Sequence, residues 1–390
     1  MAQTHDWIDA EAGLAARFAD GTAHNDRASL LRDLAAYTAA VVADARARGP
    51  VVPTREEREH QRAWLDQPVF ICGHHRSGTT LLQELLDSHP QLVVLASEAT
   101  YFTSFSDLAR GGRTPALLDG FAREWIARFV DPNLAPHFRL GRSDEERQPP
   151  LDFTRRLFGW HEALETEAPK GFAALLALIS AYASVVPTPA PRRWVEKTPL
   201  NEFHVARLRV FRAAKFIHVV RDPLLAFASL RAAYERGGRA REFDACEHAA
   251  ALGRSLRAAH RNARRLGECY LVVRYEDLVT DVSREMERVR GFLDIDAHAL
   301  LEVPTVGGVP VAANSSFEAR APGVVRATNA RSPVSASDLR HLEAFAAADA
   351  RAFGYDIALR ARLAAALHRF THAPRRAWRR AVQTLARRMA

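Results

Sequence analysis

Pro68-Val-Phe-Ile-Cys-Gly-His-His-Arg-Ser-Gly-Thr-Thr-Leu-Leu-Gln-Glu-Leu-Leu86 is the stretch from which the fold can be read. The apolar run Val69 to Cys72 predicts a buried strand, and a turn through Gly73-His74-His75-Arg76-Ser77-Gly78 follows it. From Thr79 onward Leu81, Leu82, Leu85 and Leu86 recur at helical spacing. Strand, glycine-containing loop and helix together lay out an anion cradle. Backbone N–H groups of the loop and first helical turn point at one spot, where the helix dipole adds partial positive charge. Gly73 and Gly78 permit the tight turn and a close backbone approach. The two glycines have the spacing of the nucleotide pattern G-x-x-x-x-G-K-[ST], but Thr79 stands where the lysine belongs. That lysine reaches the β- and γ-phosphates of a nucleoside triphosphate, so an ordinary ATPase or GTPase is not expected. The positive charge comes instead from Arg76, inside the loop.

Residues 91–95, 193–196, 215–220 and 269–273 predict four more strands, with helical text between them. The expected fold is α/β: a P-loop-type parallel sheet of about five strands, flanked by helices on both faces. Ligands of such sheets bind outside the carboxyl ends of the strands. Each predicted strand ends in a polar cluster: His75-Arg76-Ser77, Ser97-Glu98, Glu196-Lys197, Arg221-Asp222 and Arg274-Tyr275-Glu276. A helix is expected at about 200–212 and another at about 242–265. Asp222 and Pro223 read as the N-cap and first residue of a helix running through Ser229. Residues 1–66 read as a helical N-terminal extension, 67–355 as the α/β domain, and 356–390 as a basic C-terminal helix. Within the domain, 100–170 is a mostly helical insertion. Its aromatics (Tyr101, Phe102, Phe105, Phe153, Phe158, Trp160) are expected in the core, with a pocket wall as the second reading.

A chain of 390 residues can bury a substantial core, as one large domain or two smaller ones. With 48% apolar and 26% charged residues it reads as an ordinary soluble globular protein. The net charge of +8 is carried by arginine, since Lys170, Lys197 and Lys215 are the only lysines. An excess of arginine and alanine reads as coding bias, so the charge is not taken as a sign of nucleic-acid binding; it suits an anionic ligand. Cys72, Cys246 and Cys269 lack metal-ligand spacing, and Cys72 and Cys269 fall in apolar, strand-like runs. A reducing compartment follows. Met1-Ala-Gln-Thr-His-Asp-Trp7 has neither the basic start nor the apolar core of a signal peptide, and the apolar run 172–186 is too short to span a bilayer. The cytoplasm is the expected location. The tail sets leucines and Trp378 among Arg375, Arg376, Arg379, Arg380, Arg387 and Arg388. Such a helix is expected to pack on its own domain, with peripheral contact to an anionic membrane as the alternative.

An anion loop reading Arg76-Ser77-Gly78-Thr79-Thr80 resembles that of the sulfotransferases, which use 3′-phosphoadenosine 5′-phosphosulfate (PAPS) as donor. The resemblance covers roughly residues 68–355. It implies that Gly73, His75, Arg76, Ser77, Gly78, Thr79 and Thr80 hold the donor's 5′-phosphate and sulfate. Val219-Val220-Arg221-Asp222-Pro223, with Ser229 eight positions beyond Arg221, is similar to the family's second signature, whose arginine and serine bind the 3′-phosphate. Glu196-Lys197-Thr198-Pro199 is similar to the Lys-Thr-Pro segment of the bacterial and tyrosylprotein-type branches, which implies that Lys197 contacts the bridging region or sulfate. Glu98 matches the glutamate that serves the tyrosylprotein branch as base for the acceptor hydroxyl. In Arg274-Tyr275-Glu276-Asp277-Leu278, Tyr275 is read beside the adenosine or as an anchor of the strand end.

Two features depart from the small-molecule branch. Its histidine base has no matching segment here, although His137 and His161 lie in the middle region. Its late Arg-Lys-Gly loop is absent too; Ser315, Arg320, Arg326 or Arg331 is left to close on the nucleotide, with none singled out. The expected activity is sulfuryl transfer from PAPS to a hydroxyl, with an amine as the lesser expectation. The acceptor is a small molecule, a lipid-like molecule or a glycan, shaped for by 99–170 and the loop after Ala312. Glu98 is the expected base, and Lys197 and Arg76 the catalytic cations. No metal is expected, because positioning and electrostatic stabilisation suffice for this chemistry. A P-loop small-molecule kinase would need a phosphate-reaching lysine. A non-enzymatic module binding membrane or nucleic acid through the tail would leave the charged strand ends unexplained.

Overall fold

The computed structural model describes residues 7–19, 27–131, 149–186, 188–312, 321–325 and 334–357. Among the described residues three helices precede the sheet: α1 (Trp7–Ala19), α2 (Arg27–Arg48) and α3 (Arg55–Leu65). A capping box starts α3, with Glu57 N–H donating to Thr54 Oγ1 and Thr54 N–H to Glu57 Oε2. Strand β1 (Pro68–Cys72) follows directly, then α4 (Thr79–Leu86) and β2 (Leu92–Val94). The segment expected to be helical contains α5 (Ser106–Ala109), α6 (Pro115–Val130) and α7 (Pro150–Leu164), and α8 (Ala173–Val185) follows it. After it come β3 (Arg193–Lys197), α9 (Val205–Leu208), β4 (Lys215–Val220), α10 (Pro223–Arg236), α11 (Ala245–Leu266) and β5 (Tyr270–Arg274). The remainder comprises α12 (Tyr275–Thr280), α13 (Val282–Leu293), a hairpin of β6 (Thr305–Val306) and β7 (Val309–Pro310), α14 (Ala336–Phe345) and α15 (Ala347–Ala350). No described helix is long and apolar enough to cross a membrane.

The sheet is parallel throughout, in the order β2-β3-β1-β4-β5. The five expected strands are all present. Every residue of β1 is buried because both faces are covered: Phe70 and Cys72 enter one hydrophobic cluster, Val69 and Ile71 another. Register carries this order to the site. Ile71 lies opposite Lys197, Cys72 opposite His218, and Val220 opposite Arg274, so the segments leaving β1, β3, β4 and β5 emerge side by side. Of the aromatics in the insertion, Tyr101, Phe153, Phe158 and Trp160 are core residues, and Phe102 and Phe105 pack against the same cluster half-buried.

Two local expectations need correcting. Residues 200–212 do not form one helix; a 3₁₀ turn, Asn201–Phe203, precedes the single-turn α9. Leu200 sits at φ 79°, its N–H donating to the Gly73 carbonyl, while Asn201 Nδ2 donates to Glu196 Oε2. Tertiary hydrogen bonds override helix propensity there. Cys269 is not in a strand: it ends a 3₁₀ turn ahead of β5 and is exposed.

Candidate active site

The loop after β1 is tied at every bend. Gly73 (φ 138°) and Gly78 (φ 102°) adopt conformations that favour glycine, and a side chain at either would also collide. A Cβ on Gly73 would lie 2.4 Å from the Val219 carbonyl oxygen, and one on Gly78 would lie 2.4 Å from Tyr275 Cδ2. Ser77 donates its N–H and its hydroxyl to the His74 carbonyl, at 3.1 and 2.6 Å. Gly73 N–H donates to Glu202 Oε2 at 3.2 Å. The loop is therefore anchored to the turn after β3. Thr79 is buried as the first residue of α4, and Thr80 follows it half-buried.

Three polar side chains meet on the β4 side of the loop. Arg76 Nε donates to Ser229 Oγ at 3.2 Å, and Arg221 Nη1 donates to the Arg76 carbonyl at 3.0 Å. The Arg221 guanidinium also lies 4.2 Å over the Tyr275 ring. Burial pushes the Arg76 guanidinium down to about 10, and the charges of Arg221 and Arg236 add to that. An anion seated here would relieve the repulsion by supplying opposite charge where water has been excluded. The helix start fixes Arg221: the Asp222 side chain accepts from Leu224 N–H, and Glu276 Oε1 accepts from Asp222 N–H, at 2.8 and 2.9 Å. Tyr275 is a wall shared by the loop glycine and the arginine.

A second group forms on the β3 side. Lys197, buried, sends Nζ to Glu98 Oε1 at 2.6 Å and to Thr80 Oγ1 at 3.2 Å. The Glu98 side chain is 36% exposed, so the carboxylate paired with this buried cation stays open to an incoming group. Lys197 thus joins the helix of the cradle to the carboxylate after β2. His75 is exposed on the loop, whereas His74 is buried, its Nδ1 bonded to the His75 carbonyl and its pKa pushed down to about 3 by burial.

Of the sequence-predicted residues, Gly73, His75, Ser77, Gly78 and Thr79 lie along the loop and its helix start, Arg76, Arg221, Ser229 and Tyr275 come together in one group, and Thr80, Glu98 and Lys197 in the other. His161 lies elsewhere, on α7, with Glu165, Arg46, Glu162 and Arg113 as its charged neighbours. His137, Ser315, Arg320, Arg326, Arg331 and the basic tail lie outside the described residues. Sequence reading passed over Glu202, which holds the loop, and Arg128 of α6. Arg128 interrupts the apolar face made by Phe121, Trp125 and Phe129, and a charge in such a stripe was the available signal.

A family model described as the sulfotransferase family matches residues 68–299, more than half of the chain. Among curated proteins, the chain is 28% identical over 185 residues to omega-hydroxy-beta-dihydromenaquinone-9 sulfotransferase Stf3 of Mycobacterium bovis. That match covers 42% of this chain and 44% of the relative, so the chain spans less than half the length of the curated relatives it matches. Among solved structures it is similar to the sulfotransferase domain of the Synechococcus PCC 7002 olefin synthase, at 18% identity and a TM-score of 0.40, covering 75% of this chain and 96% of that one. Sulfotransferase STF1 of Mycobacterium tuberculosis H37Rv is similar at 15% identity and a TM-score of 0.37, covering 76% and 84%.

Proposed function

The chain belongs to the sulfotransferase family, and from that premise we propose that it moves a sulfuryl group from PAPS to a hydroxyl of a small, lipid-like acceptor. The observation that carries the donor assignment is the convergence of Arg76, Arg221 and Ser229 behind a glycine loop that lacks the P-loop lysine. The residues fit the group. The loop N–H groups and Arg76 would hold the 5′-phosphate and sulfate, and Arg221 with Ser229 the 3′-phosphate. PAPS supplies the activated sulfur–oxygen bond that breaks. Glu98 takes the proton of the acceptor hydroxyl as its oxygen bonds to sulfur. Lys197, whose Nζ already lies 3.2 Å from Thr80 on the cradle helix, meets the negative charge left on the bridging oxygen. The name of the mycobacterial relatives gives them a hydroxyl-bearing dihydromenaquinone as acceptor, which supports a lipid-like acceptor here.

The donor is tested by thermal unfolding with nucleotides. A ligand that binds the native state selectively raises the midpoint. The desulfated donor, 3′-phosphoadenosine 5′-phosphate, is expected to raise it well above the shift given by ADP at the same concentration. Equal shifts from the two would remove the assignment of Arg221 and Ser229 to a 3′-phosphate. The acceptor is to be found by transferring labelled sulfate from PAPS into a cell extract and identifying the labelled product.

A further inference from the structure

Glu98 stands on a short connection after β2, and a carboxylate on a connection is only as well aimed as the backbone beneath it. Two buried side chains from different elements take hold of that backbone. Arg128 of α6 is 8% exposed and its guanidinium lies 4.7 Å over the Trp125 ring. Its Nη1 donates to the Glu98 carbonyl and, at 3.3 Å, to Ser97 Oγ; its Nη2 donates to Thr100 Oγ1 and to Glu124 Oε1, both at 3.2 Å. From the other side, Glu196 of β3 is 3% exposed and accepts the Ala99 N–H at 3.0 Å. Glu196 is itself fixed by the Thr198 hydroxyl and by Asn201 Nδ2, and Thr198 Oγ1 accepts the Thr100 N–H at 3.0 Å. The Glu98 carbonyl and the Ala99 N–H are the two polar ends of one peptide unit. Arg128 holds one end and Glu196 the other.

That grip is directional. A planar guanidinium with several N–H donors fixes a geometry that a single ammonium cannot. Strand β3 then acts twice on successive residues: Glu196 fixes the Glu98 backbone, and Lys197 meets the Glu98 carboxylate at 2.6 Å. The peptide is also held in an unfavourable neighbourhood, because the next residue, Thr100, lies at φ 48°. We propose that Arg128 and Glu196 are positioning residues: they clamp the Glu98–Ala99 peptide so that the Glu98 carboxylate is aimed at Lys197 and at the acceptor. This deepens the sulfotransferase reading and rests on it for the role of Glu98, while the clamp is a matter of geometry. A misplacement of about 1 Å at a reacting group lowers rate by about 10²-fold, so turnover is where the clamp would be felt.

The test is a double-mutant cycle on unfolding. Wild type, Glu98→Gln, Lys197→Met and the double variant give the Glu98–Lys197 coupling, which is then measured again with Arg128→Lys and with Glu196→Met, which has no oxygen to accept the Ala99 N–H, in the background. The expected result is that each background removes at least half of the coupling. Turnover from PAPS is expected to fall about 10²-fold in Arg128→Lys but to fall no further when Glu98→Gln is already present. A merely structural Arg128 would lower the thermal midpoint and leave the coupling whole; an unchanged coupling in the folded variants overturns the clamp. Should Arg128→Lys fail to fold, Glu196→Met and Thr198→Val carry the same measurement. The cycle needs neither donor nor acceptor. Wild-type sulfuryl transfer by Glu98→Gln would therefore end the role of Glu98 as base without touching the result on the clamp.

Discussion

Arg221, just past the end of β4, and Ser229 of α10 are placed to weigh differently on one bound phosphate. The Ser229 hydroxyl is buried and accepts from Arg76 Nε, so it could give a phosphate one hydrogen bond from an uncharged donor. Arg221 offers a charged, forked donor and, through the Arg76 carbonyl and the Tyr275 ring, also braces the loop. Its loss would remove the positive charge and up to two charge-assisted bonds of roughly 1.5–3 kcal/mol each, whereas loss of the hydroxyl would remove a single bond and no charge. Arg221→Ala is therefore expected to weaken binding of 3′-phosphoadenosine 5′-phosphate more than Ser229→Ala does, as read by titration calorimetry. The reverse order, or an Arg221→Ala variant binding as the wild type does, would make the arginine a helix-start residue only. Much of this was legible in the sequence because Arg221-Asp222-Pro223 declares its own local structure: a strand end, a cap, and a first helical residue. Tyr275 was not settled that way. Its contact with Gly78 joins residues nearly two hundred positions apart, and no local pattern encodes it.

Helix α4 carries more than the cradle's positive end. One turn beyond Thr80, Glu84 is 6% exposed, and its Oε2 has no hydrogen-bond partner among the described residues. Burial raises its pKa from 4.5 to about 8; Asp87 adds to the rise and Lys197 opposes it. The sign of the consequence is definite. The folded state keeps the proton that the unfolded chain releases near 4.5, so the stabilising effect is complete below that pH. It is lost as pH rises through about 8. Glu84→Gln, which cannot ionise, is expected to flatten the fall in thermal midpoint between pH 5 and 9 seen for the wild type. Parallel midpoint curves for the two proteins would show that Glu84 is not a buried acid. Leucine spacing revealed the helix, but nothing local marks Gln83 and Glu84 as buried. Its surroundings come from β1, β2, β3, β6 and the 3₁₀ turn Ala299–Glu302 packing on α4, which is tertiary information. The missed break at Leu200 has the same origin, since the Gly73 carbonyl and Glu196 that capture the turn belong to other elements.

At the scale of the whole molecule, the parallel sheet and its polar edge were readable because the strand ends carry their chemistry in short, local runs. How the first 66 residues relate to that sheet was not, and here the packing speaks. Leu34, Val41 and Ala45 of α2 and Trp64 of α3 belong to the same hydrophobic cluster as Phe70 of β1 and Trp194 of β3. Polar contacts cross the same boundary. Trp194 Nε1 donates to the Leu65 carbonyl at 2.8 Å, Gln61 Nε2 to the Ser180 carbonyl at 3.2 Å, and Val51 N–H to the Arg155 carbonyl at 3.0 Å. Gly159 of α7 lies so close to Val51 that a Cβ there would be 2.0 Å from its carbonyl oxygen. Separate domains do not share a core and backbone bonds in this way; their interfaces are smaller and more polar. Leu34→Ala, deleting a buried side chain of α2, is expected to lower the stability of the whole chain by about 2–5 kcal/mol. The amides of α2 and β1 should then lose hydrogen-exchange protection together, and nucleotide binding should disappear in the same transition. An early unfolding step confined to α1 and α2, with 3′-phosphoadenosine 5′-phosphate still bound above it, would instead make the N-terminal helices an extension that folds apart from the catalytic sheet.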